Sequence, residues 1–162
     1  MNGASWYDSS HHPLSVTGAT DASSSSWAGV VHGTPGSDEV FRTAADFPTE
    51  WVSSHINVKE TFALYEVLLL LVEARPDFLR TSTITVDVDN KAMFYAVHKG
   101  RAPNEQMHEL VRERFWLQVH ADLTLKLRWI PSGENSEVDC MTRPDAYGNT
   151  CDCVNGPSTT CK

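Results

Sequence analysis

Four carboxylates stand at points where the chain changes character: Asp21 in TDAS, Glu60 closing HINVKE, Asp89 in VDN and Asp139 in VDCMTR. Acids brought to one place repel and raise one another's pKa. Hard divalent cations remove that conflict, and Mg²⁺ favours one or two carboxylates together with phosphate oxygens and water. Two such ions about 3.5–4 Å apart can activate a water and stabilise the leaving oxygen of a phosphodiester. That chemistry needs neither a histidine nor a cysteine nucleophile. A further acid, Asp87, alternates with Asp89 in the apolar run TITVDVDN. Alternate strand positions share a face, so the two point the same way, with Asp87 about 6.6 Å deeper. Acids on a strand need a positive partner or solvent.

Each of the four acids also has a local explanation. Asp21 precedes Ala22-Ser23 and suits a turn. Asn57 and Glu60 make an N-x-x-E pair of the capping-box kind. Asp139 near a helix start complements the macrodipole. Their joint occurrence at the ends of different elements points to a common place at one edge of a sheet, where sites on open α/β sheets lie.

The elements that must position them are read from periodicity and punctuation. Residues 1–14 read as a flexible lead-in. Val16–Ser23, Trp27–Gly33 and Glu39–Asp46 read as strands of an antiparallel meander, with a Pro/Gly turn at Thr34–Asp38. FPTEWVSSH reads as a loop. Asn57 then precedes a helix to about Ala74 that Pro76 helps to end, with Ala63, Leu64, Val67, Leu68 and Leu71 at helical spacing. Thr83–Val88 is a strand. A short helix over Asn90–Gly100 can be closed by Gly100, and a longer one runs from Pro103 to Ala121. A strand at Leu123–Ile130 and a short helix at Ser136–Arg143, stopped by Pro144, complete the order β-β-β-α-β-α-α-β-α. This predicts an α/β fold, a mixed sheet covered by helices.

The 162 residues suffice for one domain with a sizeable core, and 41% hydrophobic content suits a globular chain. The formal charge of −8 argues against a free-standing nucleic-acid binder, an objection that site-bound metals soften. The opening MNGASWYDSSHHPLS has no apolar core segment, and the run Val67–Val72 is too short to span a bilayer. The expected placement is therefore intracellular, in cytoplasm or nucleus, neither secreted nor membrane-bound. Cys151, Cys153 and Cys161 allow zinc ligation, but C-x-C-x7-C lacks a well-spaced fourth ligand, and 144–162 is read as a disordered Cys-containing tail.

In series, TDAS, the Trp-Ala-Gly turn into the second strand (Trp27–Gly29), HINVKE, VDN, WIPSGEN and VDCMTR resemble a ribonuclease H domain. More closely, they resemble those in reverse transcriptases of tyrosine-recombinase retrotransposons, the DIRS, Ngaro and VIPER-like group. The resemblance implies a ribonuclease H-like fold over 15–143, a five-stranded mixed sheet flanked by helices. It implies that Asp21, Glu60, Asp89 and Asp139 are the catalytic metal ligands for two Mg²⁺ ions, with Mn²⁺ able to substitute. Asp87 then falls outside the ligand set. The implied activity is hydrolysis of the RNA strand of an RNA/DNA hybrid, with a water attacking the phosphate. The implied partner is a reverse transcriptase polymerase domain in the same polyprotein, which would supply the basic grip this acidic chain lacks. Hybrids are recognised by shape and by 2′-hydroxyls in a shallow minor groove. Ser23, Ser24 and Asn90 are placed to donate there, and Lys99 and Arg101, with Arg112 and Arg114, are the nearest cations for phosphates. A solvated helix face is the plain alternative for those cations. Trp6, Trp27, Trp51, Trp116 and Trp129 read as core or semi-buried residues rather than base-stacking platforms. The chain departs from the pattern in two respects: it lacks a strongly basic helix-loop handle, and the loop WIPSGENSEVD has no histidine, with Trp129 standing where related transposon sequences often have one. Slow turnover is the expected consequence. Two rivals remain: a catalytically inactive module of the same fold serving structure or binding, and another enzyme on that fold, such as a 3′–5′ exonuclease or a transposase-type strand transferase.

Overall fold

The computed structural model describes residues 15–33, 39–75 and 80–143. Exposed and buried residues alternate at the start of β1 (Ser15–Ala22), whereas β2 (Ser26–His32) is buried almost throughout. β3 (Val40–Asp46) is more exposed, as an edge strand is. A short α1 (Thr49–Val52) and a long α2 (Ile56–Ala74) lead to β4 (Thr83–Val88). Then come α3 (Lys91–Lys99), α4 (Glu105–Ala121), β5 (Thr124–Trp129), a 3₁₀ turn at Ser132–Glu134 and α5 (Ser136–Thr142).

The strands form one five-stranded sheet in the order β3-β2-β1-β4-β5. β1–β2 and β2–β3 pair antiparallel, and β1–β4 and β4–β5 pair parallel. This is the mixed sheet expected from the element order: hairpins join the first three strands, and parallel pairing needs the helical crossovers that follow. α2 lies on β1 and β2 and packs against α3 and α4. Its buried residues Phe62, Leu64, Val67, Leu68 and Leu71 join Val16, Ile84, Val86 and Val88 of the sheet in the core. α5 covers the other face, because Thr142 reaches Asp21, the strand neighbour of Thr20, whose partner Gly29 faces α2.

Gly29 sets how closely α2 approaches the sheet: a Cβ there would stand 2.2 Å from Val67 Cγ2. Val67 is β-branched and buried, so it has no free rotamer to move into. Gly29→Ala should therefore destabilise the domain by about 1–3 kcal/mol, a loss of several degrees in thermal midpoint. An unchanged midpoint would mean that α2 sits farther from β2. Gly100 closes α3 as expected, in the left-handed region at φ 68°, with its N–H on the last carbonyls of the helix.

Several local expectations change. The loop FPTEWVSSH contains α1, entered through Pro48, whose φ of −52° suits a helix entry. Phe47 and Trp51 hold it there, with ring centroids 5.5 and 4.9 Å from Phe62. α2 begins at Ile56, and its cap is His55, whose Nδ1 accepts the Asn57 N–H at 3.2 Å. Glu60 is thus inside the helix and caps nothing. Trp27–Gly29 are not a turn; they pair with Ala22, Asp21 and Thr20 within β2. Trp27 is buried and Trp51 partly so, but Trp116 and Trp129 are 49% and 39% exposed, one on the outward side of α4 and one at the end of an edge strand. The lead-in 1–14 with Trp6, the turn Thr34–Asp38, Pro76, and the tail 144–162 with its three cysteines lie outside the described residues. Among the described residues no helix is long and apolar enough to cross a membrane.

Candidate metal centre

Parallel register decides where two of the acids go. Ala19 of β1 pairs with Asp87 of β4. Two residues on, Asp21 and Asp89 therefore leave side by side at the carboxyl ends of adjacent parallel strands. α2 starts above the same edge and delivers Glu60 from its second turn. Oxygen atoms of Asp21, Glu60 and Asp89 all lie within 4.8 Å of one another. Asp21 and Glu60 are buried and Asp89 is partly exposed.

Burial pushes the Glu60 carboxyl up to about 9, and the charges of Asp21 and Asp89 add to it; a backbone hydrogen bond from Ala22 and the Arg143 charge oppose it. Asp21 is pushed up to about 6, again chiefly by burial, against the hydrogen bond from Thr142 and the charge of Arg143. Among the described residues, no lysine or arginine forms an ion pair with Asp21, Glu60 or Asp89. Three oxygen-donor groups, desolvated and mutually repelling, with no direct cationic partner, fit a hard divalent ion.

Asp139 lies outside this group of three. It sits on α5, and Arg143 Nη1 is 2.9 Å from its Oδ1. Its charge nonetheless raises the Asp21 carboxyl, so it stands near the cluster. α5 is fastened to the sheet at several points. Thr142 Oγ1 donates to Asp21 Oδ2. Glu137 lies 2.9 Å from His32 Nε2 and accepts from Arg42 at 3.3 Å. The buried Asn135 donates to the Thr20 carbonyl at 3.2 Å.

Asp87 does not join the acids. Arg128, its register partner on β5, grips it with two hydrogen bonds of 2.6 and 2.7 Å. Asn90 caps α3 by accepting the Met93 N–H at 2.9 Å and donates to Asn57 Oδ1 at 2.9 Å, which ties the Asp89 segment to the start of α2. Trp129 Nε1 donates to the Asp89 carbonyl at 3.1 Å, and Lys91 Nζ stands 4.5 Å over the Trp129 ring. Ser23 is buried, and its hydroxyl is engaged within the β1–β2 turn, with Ser25 and Ser26. Ser24 is exposed at that turn, and its carbonyl accepts from Lys59. Lys99, the last residue of α3, and Arg101 just beyond it are exposed. Arg112 is exposed and paired with Glu109 and Glu113, the solvated helix face allowed for above. Arg114 is buried and donates to Gln118.

Sequence reasoning passed over Thr142, Arg143 and Lys59 as contributors to this region. For the first two a signal existed: they follow Asp139 by three and four residues, the spacing at which helical side chains meet. For Lys59, a lysine beside an acid in a helix start carried no sign that it would be buried over Phe47 and spent on a turn carbonyl.

No protein-family model and no curated protein matches the sequence. Solved structures do match. A ribonuclease H1 isolated from compost by a metagenomic approach has TM-score 0.62 at 15% identity, over 85% of this chain and 100% of that one. The same enzyme in complex with an RNA/DNA hybrid has TM-score 0.63 at 14% identity, over 83% and 99%. An N-terminal ribonuclease H domain from Mycobacterium tuberculosis has TM-score 0.62 at 16% identity, over 82% and 95%. The chain has the ribonuclease H-like fold.

Proposed function

We propose that this chain is a metal-dependent endonuclease that cuts the RNA strand of RNA/DNA hybrids. Residues 15–143 are its catalytic domain, and it is the ribonuclease H part of a reverse transcriptase from a DIRS/Ngaro/VIPER-like retrotransposon. The observation that carries the activity is the meeting of Asp21, Glu60 and Asp89 within 4.8 Å at the carboxyl edge of a ribonuclease H-like sheet. The retrotransposon context rests on the motif series from TDAS to VDCMTR.

Asp21, Glu60 and Asp89 would hold the metal, with Asp139 as a fourth ligand. Two Mg²⁺ ions, replaceable by Mn²⁺, would supply activation of the attacking water and charge neutralisation at the scissile phosphodiester. Thr142 fixes one oxygen of Asp21 and leaves the other for coordination. Glu60 holds a proton at neutral pH in the metal-free protein and must release it to become a ligand. Trp129 and Asn90 hold the backbone on either side of Asp89. Exposed Ser24, with Ser23 shaping its turn, and Asn90 face the minor groove of the hybrid. Lys99 and Arg101 meet its phosphates.

Internally labelled RNA/DNA hybrid should be nicked with Mg²⁺ or Mn²⁺ and left intact with EDTA, while duplex DNA is untouched. With few clustered cations on a chain of net charge −8 cleavage should be weak, and because phosphate contacts release counterions it should fall further between about 50 and 200 mM salt. Metal binding without any cleavage would favour an inactive module of the same fold, and trimming from a 3′ end or cutting of duplex DNA would favour the exonuclease or transposase reading.

A further inference from the structure

Among the described residues, Arg143 is the cation that forms an ion pair with one of the four acids. It lies one helical turn beyond Asp139, with Nη1 2.9 Å from the Asp139 carboxylate. The Asp139 side chain is only 17% exposed, whereas that of Arg143 is 51% exposed. Its charge is also felt by Asp21 and by Glu60, lowering both carboxyls against the effect of burial. Its position is anchored: the hydroxyl of the preceding residue, Thr142, donates to Asp21 and lies 3.1 Å from the Asp139 carbonyl. A guanidinium keeps its proton under all working conditions, so this charge is permanent.

We propose that Arg143 is a built-in counter-cation of the centre, which holds the Asp139 carboxylate and competes with divalent ions for it. A divalent ion that recruits Asp139 must take the carboxylate from Arg143 and stay beside its charge. Metal affinity is then set by the Arg143–Asp139 pair as well as by the acids themselves. The inference rests on reading the three acids as a metal centre.

The test is calorimetric titration of Mn²⁺ into the full chain and its variants. Arg143→Gln should bind Mn²⁺ about tenfold more tightly, the scale set by removing a unit charge from a partly screened site. Arg143→Lys retains the charge and should stay within about threefold of the parent. Adding Asp139→Asn to Arg143→Gln should remove most of the gain, since the Asp139 carboxylate is its source. Thermal melts report folding, and Arg143→Met, which keeps the aliphatic stem, replaces the Gln variant if that one does not fold. Unchanged or weaker affinity without the charge, or the same gain in Arg143→Lys, overturns the inference. Hybrid cleavage is read separately. A parent that binds Mn²⁺ and cuts no hybrid overturns the proposed activity alone, whereas a cutting parent whose affinity ignores Arg143 overturns this inference alone.

Discussion

Asp89→Asn should abolish cleavage of an RNA/DNA hybrid at any Mg²⁺ concentration and leave the domain folded. Asparagine keeps the shape of the side chain and removes the charge that a hard cation needs. Asp89 lies just past β4 and is partly exposed, so the core loses nothing. Its carbonyl still accepts from Trp129, which holds the segment in place. Asp87→Asn is the matched control. Its carboxylate is spent on Arg128, whose side chain is 63% exposed, and pairs so open to solvent contribute little. Cleavage should stay within about tenfold of the parent, a barrier change of roughly 1.4 kcal/mol or less. Gel assays on labelled hybrid, with thermal melts of each variant, check both. Loss of activity in Asp87→Asn with survival in Asp89→Asn would put the centre two residues away from where it is placed here.

Glu60→Gln should make the metal-free protein more stable at neutral pH while eliminating cleavage. The sign follows from the protonation equilibrium. The Glu60 carboxyl has a folded value of about 9 against an ordinary 4.5, so the folded state binds its proton more tightly than the unfolded chain does. The stability this confers is full below the ordinary value and is lost as pH rises from there through the folded value. At about 1.4 kcal/mol per pH unit, the loss by pH 7 is on the order of 3 kcal/mol. Glutamine carries no charge at any pH and escapes it. Asp21, raised to about 6, adds a smaller loss in the same direction, complete at a lower pH. The thermal midpoint of metal-free Glu60→Gln should therefore exceed that of the parent by several degrees at pH 7–8, with the gap closing towards pH 5. Mg²⁺ should raise the parent midpoint more than that of the variant, because the ion replaces the missing counter-charge in the parent alone. A variant less stable than the metal-free parent at pH 8 would show that the ionised Glu60 is already compensated within the protein.

Much of the architecture is legible in the sequence because its causes are local. Alternating burial marks β4, helical spacing of Ala63, Leu64, Val67, Leu68 and Leu71 marks α2, and Gly100 marks a helix end that needs positive φ. Element order then restricts the sheet to a hairpin half and a crossover half, since parallel neighbours need helices between them. The presence of acids at element ends is equally a property of the sequence. Only the tertiary structure decided which acids meet. Asp21 and Asp89 come together through the β1–β4 register, and Glu60 joins them because Gly29 lets α2 lie close against the sheet. Both depend on contacts between residues far apart in the chain, which no local pattern encodes. The same holds for hydrogen-bonding partners. Asn57, placed like a helix cap, is tied to Asn90; Asp87 is taken by its cross-strand neighbour Arg128; and Asp139 is paired with Arg143. Such polar side chains have several partners within reach in any sequence, and the packing of α2, β5 and α5 on the sheet selects among them.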